Sequence, residues 1–204
     1  MQEPLHEYTP LDIDLAERAE GRSCLSRLWV FFVETLETII LAAVLFAGIN
    51  FVSARIRVDG RSMEPTFHHG EYVIVNKLAY RFDEFERGDV IVFPYPFNEE
   101  EDFIKRIIGL PGDRVTVRGG QVYVNDRLLD EPYISAQPLR DFEETLVPES
   151  QLFVMGDNRN DSSDSRSWGT LEMDAVIGEA WFVYWPLSDL GLVEHVDTVF
   201  AQTQ

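Results

Sequence analysis

Hydrophobic and polar positions divide the chain into one long apolar stretch and a series of short apolar runs. The long stretch lies between Arg27 and Arg55, where the only charged residues are Glu34 and Glu37. A bilayer core of about 30 Å requires roughly 17–25 apolar residues in a helix, so we predict a transmembrane helix over residues 28–54. The alternative, a buried helix of a soluble protein, is disfavoured because such helices seldom extend this far without a polar face.

The segment before this helix is polar. Residues 1–27 contain six acidic residues and three arginines, and Pro4 and Pro10 are expected to interrupt any early helix. We therefore predict a short, mostly disordered acidic tail. Three arginines precede the apolar stretch and three follow it closely, so the basic residues do not decide its orientation in a membrane.

After Arg55 the pattern changes to short runs of β-branched and aromatic residues that are separated by turn residues. Gly119-Gly120 is a two-residue hairpin signal, residues 110–113 (LPGD) are typical of a turn, and Pro94 and Pro96 are expected to end a strand. The predicted strands are 71–75, 89–93, 103–108, 114–118, 121–124, 151–155 and 179–185.

Many strands at close spacing, with almost no helical periodicity, predict a mostly β, antiparallel domain over residues 55–186. We expect loops at 98–102 and 135–149. Residues 187–204 carry little signal and are assigned to a C-terminal tail.

Composition narrows the function further. The net charge of −19 disfavours nucleic acid as a partner, because phosphate binding relies on an excess of Lys and Arg. The single cysteine, Cys24, allows no disulfide within the chain and says nothing about the compartment. Fifteen of the seventeen basic residues are arginine, and the two lysines are Lys77 and Lys105. A role that requires giving up a proton needs lysine, since arginine stays protonated in proteins.

Ser62 and Lys105 are the candidate nucleophile and base. A serine attacks well only when a neighbouring base takes its proton. A lysine can be that base near pH 7 only if its pKa falls by roughly three units, at a cost of about 4 kcal/mol. Burial among apolar side chains lowers a lysine pKa in this way. In a strand, Phe103 and Ile107 share a face with Lys105, which supplies such surroundings.

Four motifs follow the apolar stretch in order: 62–66 (SMEPT), 88–93 (GDVIVF), 104–113 (IKRIIGLPGD) and 156–166 (GDNRNDSSDSR). Their order and content resemble the bacterial type I signal peptidases, membrane-anchored serine proteases that remove signal peptides. The resemblance implies a β-rich catalytic domain with the complex β fold of that family, behind one N-terminal transmembrane helix.

The resemblance also implies roles for individual residues. Ser62 matches the family's nucleophile, Lys105 its general base, and Ser162 the hydroxyl that orients the lysine amine. The backbone N–H of Ser62 is one candidate donor for the oxyanion. Some members place a serine hydroxyl at the position of Gly60, so the identity of a second donor stays open.

Two ion pairs are expected by the same resemblance, Asp157 with Arg106 and Asp164 with Arg166. We interpret them as scaffold; the alternative is that they are solvated loop charges. The substrate pocket should accept small residues and reject large ones by its form. The resemblance assigns it Met63, Phe103 and Ile104, with Ile56 and Val92 as further candidates, although each could equally belong to the core.

The resemblance implies signal-peptide-bearing precursors and a lipid bilayer as partners, with no nucleic acid, metal or other cofactor. It implies a single-pass protein of the plasma membrane, with a cytoplasmic N-terminal tail and the catalytic domain on the outer face. Segments 58–60 and 102–103 would flank an extended substrate as strand edges.

Alternatives remain at this stage. His68 and His69 could serve a Ser-His mechanism, but no carboxylate partner is implied for them. The segment 157–161 resembles a calcium loop except at Arg159, where a cation replaces a ligand. Repressor-type self-cleaving proteins share a Ser-Lys dyad, but they would carry a DNA-binding segment where this chain has an apolar helix. A membrane-anchored β module that binds extended peptides without cutting them is the non-enzymatic alternative.

Overall fold

The computed structural model of the protein describes residues 10–196 and residue 200. The chain forms two units, with the division after Asn50. The described part of the first unit is helical and forms most of helix α1, Pro10–Val52. From Arg27 onward this helix is long and apolar enough to cross a membrane. The large apolar side chains of residues 28–52 are exposed, as a lipid-facing helix requires.

Helix α1 begins well before the apolar stretch. Residues 10–27 were predicted as mostly disordered, and this prediction is wrong because they are helical. Pro10 begins the helix and does not interrupt it, since the first turn of a helix requires no N–H from its leading residue. Residues 1–9 of the expected tail lie outside the described residues. The helix ends at Val52, two residues earlier than expected, because Ser53 already pairs with Asn76 in a sheet.

The second unit is built almost entirely from strands, joined by short helical turns. The short helices are α2, Ala79–Phe82, and α3, Ser165–Trp168, with 3₁₀ turns at Met173–Ala175 and Leu187–Asp189. The strands are β1 Ser53–Arg57, β2 Tyr72–Asn76, β3 Val90–Tyr95, β4 Asn98–Gly109, β5 Arg114–Arg118, β6 Gln121–Val124, β7 Arg127–Leu128, β8 Phe142–Leu146, β9 Gln151–Met155, β10 Leu171–Glu172, β11 Gly178–Trp185 and β12 Gly191–Leu192.

The strands form two antiparallel sheets. The larger has the order β1-β2-β11-β3-β4-β9-β10, with β12 paired to β11, and the smaller has the order β7-β6-β5-β8. The expected hairpin joins β5 to β6 through Gly119 and Gly120, whose φ values of 58° and 78° suit a tight turn of this kind. The prediction of a mostly antiparallel β fold behind one long apolar helix is confirmed.

Alternating valines supply much of the core. In β2 the side chains of Val73 and Val75 are fully buried, and β5 and β6 bury their valines in the same alternating way. Successive side chains of a strand point to opposite faces, so this alternation directs one face of each strand inward. Met63 and Phe67, from the turn after β1, complete the cluster around β2.

Two segments predicted as loops are strands. Residues 98–102 open strand β4, where the side chains of 98–102 are all exposed and the acidic groups remain hydrated. Pro94 stays within β3, beside a register shift that accommodates it, so only Pro96 lies in the turn. Within 135–149, Phe142–Leu146 forms β8 on the edge of the smaller sheet, where Phe142 packs on Phe153.

The segment after residue 186 packs with the β unit, at variance with the expected tail. Strand β12 pairs with β11, Val193 is buried in the core around β2, and Phe200 forms a bridge with Leu129. A two-residue strand and one buried valine leave no periodicity in the sequence, which is why the pattern gave no sign of them.

Candidate active site

Ser62 and Lys105 meet at the centre of the site. The Lys105 Nζ lies 2.8 Å from the Ser62 Oγ, although 43 residues separate them in sequence. Ser62 precedes a tight turn in which the Phe67 N–H donates to the Met63 carbonyl at 2.9 Å. Met63 and Phe67 are each only 1% exposed, so the core anchors the turn and with it the serine.

Lys105 is buried in strand β4, with 3% of its surface exposed. Its Nζ also donates to the Ile104 carbonyl at 2.8 Å and lies 4.8 Å from the centre of the Phe103 ring. Burial lowers the pKa of Lys105 to about 8, and the negative charges of Asp164 and Asp157 only partly oppose that shift. A large part of this amine is therefore neutral in mildly alkaline solution and can accept a proton.

Ser162 does not make the expected contact. Its Oγ is buried and has no hydrogen-bond partner among the described residues, so the Lys105 amine is held by the Ile104 carbonyl instead. The Ser162 hydroxyl nevertheless lies close to the Ser62 carbonyl oxygen. A side chain at Gly156 would collide with both the Ser162 Oγ and the Ser62 carbonyl oxygen, so glycine is required where these two groups approach each other.

Both predicted ion pairs are formed, and the first is completely buried. The Arg106 Nε and Nη2 donate to the two Asp157 carboxylate oxygens at 2.9 and 2.7 Å. Asp157 also accepts from the Thr66 hydroxyl at 2.5 Å, and Arg106 donates to the Gly88 carbonyl at 2.7 Å. The pair thus connects the turn after Ser62, the start of β3 and the strand that carries Lys105.

The second ion pair orders the loop that contains Ser162. The Arg166 Nε and Nη2 donate to the Asp164 carboxylate at 2.8 and 2.7 Å. Asp164 is 1% exposed, accepts from the Gly156 N–H at 3.1 Å and caps helix α3. Neither pair is a solvated loop contact, since both carboxylates are buried.

A cleft of about 420 Å³ contains the Ser62 and Lys105 side chains in its wall. One side is formed by residues 56–61 and the other by residues 102–105, and these include the segments 58–60 and 102–103 that were expected beside a substrate. Ile56, Phe103 and Ile104 line this cleft. Met63 and Val92 do not: they are 1% and 0% exposed and pack in the core, so their assignment to the cleft wall is wrong. The turn after Ser62 directs Met63 inward, and Val92 points to the inner face of β3.

Gly60 lies on the cleft wall with φ of 93°, a conformation that favours glycine. The Gly60 N–H donates to the His69 Nδ1 at 3.2 Å. The His69 Nδ1 also lies 3.2 Å from the Asp59 carboxylate. His69 therefore has a carboxylate neighbour, which the sequence did not imply. No hydrogen bond joins Ser62 to His68 or His69 in the part of the chain that the structure describes.

The Asp157–Asp161 loop is closed to calcium by Arg159. This guanidinium is 2% exposed and lies 2.7 Å from the Glu131 carboxylate, a partner that sequence reasoning missed because 28 residues separate the two. Thr66 was missed as well. Its place in the motif 62–66 was the available signal, but only the fold directs its hydroxyl at Asp157.

A family model and the sequences of curated relatives agree on one family. The family model described as "Signal peptidase, peptidase S26" matches residues 32–185. The chain is 40% identical over 168 residues to a probable signal peptidase I-2 of Synechocystis sp., covering 79% of this chain and 77% of the relative. It is 39% identical over 171 residues to signal peptidase I S of Bacillus subtilis, covering 78% and 91%. A solved signal peptidase I of Enterococcus faecalis aligns with 32% identity and a TM-score of 0.43, over 48% of this chain and 97% of that chain.

Proposed function

Because the chain belongs to the signal peptidase, peptidase S26 family, we propose that Ser62 and Lys105 carry its catalytic activity. The protein is a serine endopeptidase that cleaves signal peptides and is anchored by an apolar helix. The observation that carries the assignment is the 2.8 Å separation of the Lys105 Nζ and the Ser62 Oγ in a buried site. No carboxylate forms a salt bridge with Lys105 among the described residues, so little competes with loss of its proton.

In the proposed reaction, neutral Lys105 takes the proton of the Ser62 hydroxyl while the oxygen attacks the scissile carbonyl carbon. The tetrahedral intermediate collapses, the scissile C–N bond breaks, and the lysine ammonium gives its proton to the leaving amine. This leaves an acyl ester on Ser62 and a neutral lysine. The same amine then removes a proton from water, whose oxygen attacks the ester carbon. The bond between that carbon and the Ser62 Oγ breaks, the lysine ammonium returns the proton to the Ser62 oxygen, and the acid product is released.

The developing oxyanion requires a donor near the serine. We assign this role to the Ser62 N–H, as the resemblance implies. Gly60 offers no side-chain donor, and its N–H is already engaged by His69. The Ser62 carbonyl accepts from the Asn158 N–H at 3.0 Å, which supports a fixed orientation of the peptide plane on that side of the serine.

Substrate selection is assigned to the walls of the cleft. Ile56, Phe103 and Ile104 form an apolar wall beside the dyad, and we propose that it accepts small side chains before the scissile bond. An extended substrate would lie between 58–60 and 102–103, using backbone hydrogen bonds of these segments. Met63 and Val92 would support this wall from the core.

We assign residues 1–27 to the cytoplasm, 28–52 to the membrane and the β unit to the outer face of the plasma membrane. Exported precursors emerge on that face. Exposed apolar residues within two strands of the cleft support an approach to the bilayer. Arg57 on β1, which lines the cleft, is in register with Tyr72 on β2, and Tyr72 with Trp185 on β11. Trp185 is 52% exposed, and such residues suit a membrane interface.

Cleavage of a precursor with an Ala-x-Ala site tests the proposal. Purified full-length protein is compared with Ser62→Ala and Lys105→Met, and with Lys77→Met as the matched control at the exposed lysine. We expect cleavage by the wild type and by Lys77→Met, and none by the two site variants, whose circular dichroism stays native. Retained cleavage by Lys105→Met would move the base elsewhere, with His68 or His69 as candidates. Binding without cleavage by the wild type would favour the peptide-binding module.

A further inference from the structure

A histidine outside the cleft holds one of the peptide units that line it. The Gly60 N–H donates to the His69 Nδ1, and residues 58–60 belong to the cleft wall, whereas His69 does not. The His69 Nδ1 can accept this bond only when the ring is neutral and its proton lies on Nε2. In a protonated ring the same nitrogen would instead donate to the Asp59 carboxylate beside it. The Gly60 contact is therefore a property of the neutral histidine.

The segment that carries this histidine is itself fixed to the cleft wall. The Val58 N–H donates to the Glu71 carbonyl at 2.8 Å, and the Gly70 N–H donates to the Val58 carbonyl at 2.9 Å. Val58 is only 4% exposed, so these two backbone bonds are largely shielded from water. The next peptide unit, between Asp59 and Gly60, is the part of this wall that is held by a side chain.

The Asp59–Gly60 peptide has two accessible orientations. Gly60 has φ of 93°, and glycine adopts positive and negative φ about equally well. Turning this peptide over would reverse the sign of φ at Gly60, and the two orientations differ as type II and type I turns differ. The bond from the Gly60 N–H to His69 selects one of them.

The selected orientation presents a hydrogen-bond acceptor to the cleft. The Asp59–Gly60 bond is trans, and in a trans peptide the C=O and the N–H point in opposite directions. Because the N–H is directed at His69, outside the cleft, the Asp59 carbonyl is directed away from the histidine. No hydrogen bond uses the Asp59 carbonyl in the described part of the chain. Free backbone groups of this kind are what an extended peptide pairs with at a strand edge.

We propose that His69 is a positioning residue for the substrate, which holds the Asp59 carbonyl as the acceptor for one backbone N–H before the scissile bond. The inference rests on the proposed peptidase function and adds a residue outside the dyad and the apolar wall. If the His69 contact is lost, the peptide can turn over and present the Gly60 N–H instead. Two N–H groups would then face each other, and the substrate would bind less tightly. In this role His69 does not touch the reacting atoms.

The test uses full-length protein in detergent and a matched pair of substitutions. His69→Asn keeps an acceptor, because the asparagine Oδ1 is as many bonds from the backbone as the histidine Nδ1. His69→Leu has nearly the same size as asparagine but no acceptor. His68→Leu is the control at the neighbouring exposed histidine. The kinetic constants for a precursor peptide with an Ala-x-Ala site are measured with Ser62 intact. The Kd of the same peptide is measured in the Ser62→Ala background, so binding is observed even from a protein that does not cleave.

We expect His69→Leu to raise both KM and Kd about tenfold, because one hydrogen bond to the substrate is lost. The kcat should stay within about twofold of the wild type, since the bond is made equally in the bound substrate and in the transition state. His69→Asn and His68→Leu should keep both constants within about twofold of the wild type.

Substrate esters identify the contact itself, because replacing one amide of the peptide by an ester removes a single N–H. One ester before the scissile bond should weaken binding to the wild type about tenfold and have no further effect in His69→Leu. The wild-type part of this series needs no variant, so a misfolded variant leaves the test intact.

Three results would overturn the proposal: equal effects of all the esters, the same loss in His69→Asn and His69→Leu, or a lower kcat with unchanged KM in His69→Leu. His69 would then be a structural contact of the cleft wall. A wild type that binds the peptide with the expected ester dependence but does not cleave it would refute the proposed function and leave the role of His69 in binding supported.

Discussion

The lowered pKa of Lys105 has a thermodynamic cost that can be measured without any substrate. Folding moves this amine from water, where its pKa is near 10.5, into a site where burial lowers the pKa to about 8. Between these two values the unfolded chain binds one proton that the folded chain does not. Stability must therefore rise with pH across this window. Below about pH 8 the Lys105 amine is protonated in both the folded and the unfolded chain, and the full free-energy cost of burying its charge is present.

The size of the effect follows from the shift. A change of about 2.5 units at about 1.36 kcal/mol each corresponds to about 3 kcal/mol. Lys105→Met removes the titrating group and keeps a chain of similar length. The free energy of unfolding of the wild type, minus that of Lys105→Met, should therefore increase by about 3 kcal/mol between pH 7 and pH 11. The altered packing of the variant is the same at every pH, and other groups titrate alike in both proteins, so neither contributes to this increase.

Guanidinium unfolding of both full-length proteins in micelles, followed by tryptophan fluorescence, supplies the two free energies at each pH. Three of the four tryptophans, Trp168, Trp181 and Trp185, lie in the β unit and report on it. Lys77→Met serves as the control and should follow the wild type, because its lysine is exposed. A difference that stays flat with pH, or one that falls as pH rises, would refute the argument that burial keeps Lys105 neutral.

Three further outcomes are expected. The kcat/KM for a precursor should rise about tenfold per pH unit up to about pH 8 and then level off, as a lysine base predicts, whereas a plateau reached near pH 6.5 would indicate a histidine. Gly156→Ala should abolish cleavage and lower the Tm, because the added methyl group collides with the Ser162 hydroxyl. Gly191→Ala is the control and should do neither, because only a distant carbonyl lies near that position. Equal behaviour of the two variants would contradict this reasoning. Asp157→Asn should cost about 3–5 kcal/mol of unfolding free energy because it leaves Arg106 buried without its ion partner. The exposed Asp126→Asn should change stability by less than about 1 kcal/mol, and a similar loss in both would show that burial is not the cause.

The sequence predicted the structure best where a local pattern or a motif marks the residues directly. The valine-rich strands and the Gly119-Gly120 hairpin have clear periodicities, and Ser62 and Lys105 stand in motifs that predict their meeting. It was least informative where long-range packing decides. Met63 and Ile56 are both apolar and flank the same turn, yet only the direction of the chain after β1 sends the former to the core and the latter to the cleft.

The missing Ser162 contact and the packing of the C-terminal segment also depend on the folded structure, and the sequence pattern did not predict either of them. A motif predicts that a hydroxyl lies near the lysine, but the folded chain decides which oxygen atoms the amine contacts. The Ile104 carbonyl, on the same strand, makes that contact here. The segment after residue 186 is held by β12 and Val193, and neither leaves a repeated pattern in the sequence.

The position of β11 in the larger sheet has a consequence for biosynthesis. This strand lies between β2 and β3 in the sheet, although it is made after all but one of the other strands. Ser62 precedes β2 and Lys105 lies on β4, so the serine and lysine halves of the sheet are joined through residues 178–185. A nascent chain therefore carries both reactive side chains long before the strand that unites them leaves the ribosome. We therefore expect proteolytic activity to appear only when residues 178–185 have joined the sheet, so that an incompletely synthesised chain does not cleave neighbouring polypeptides.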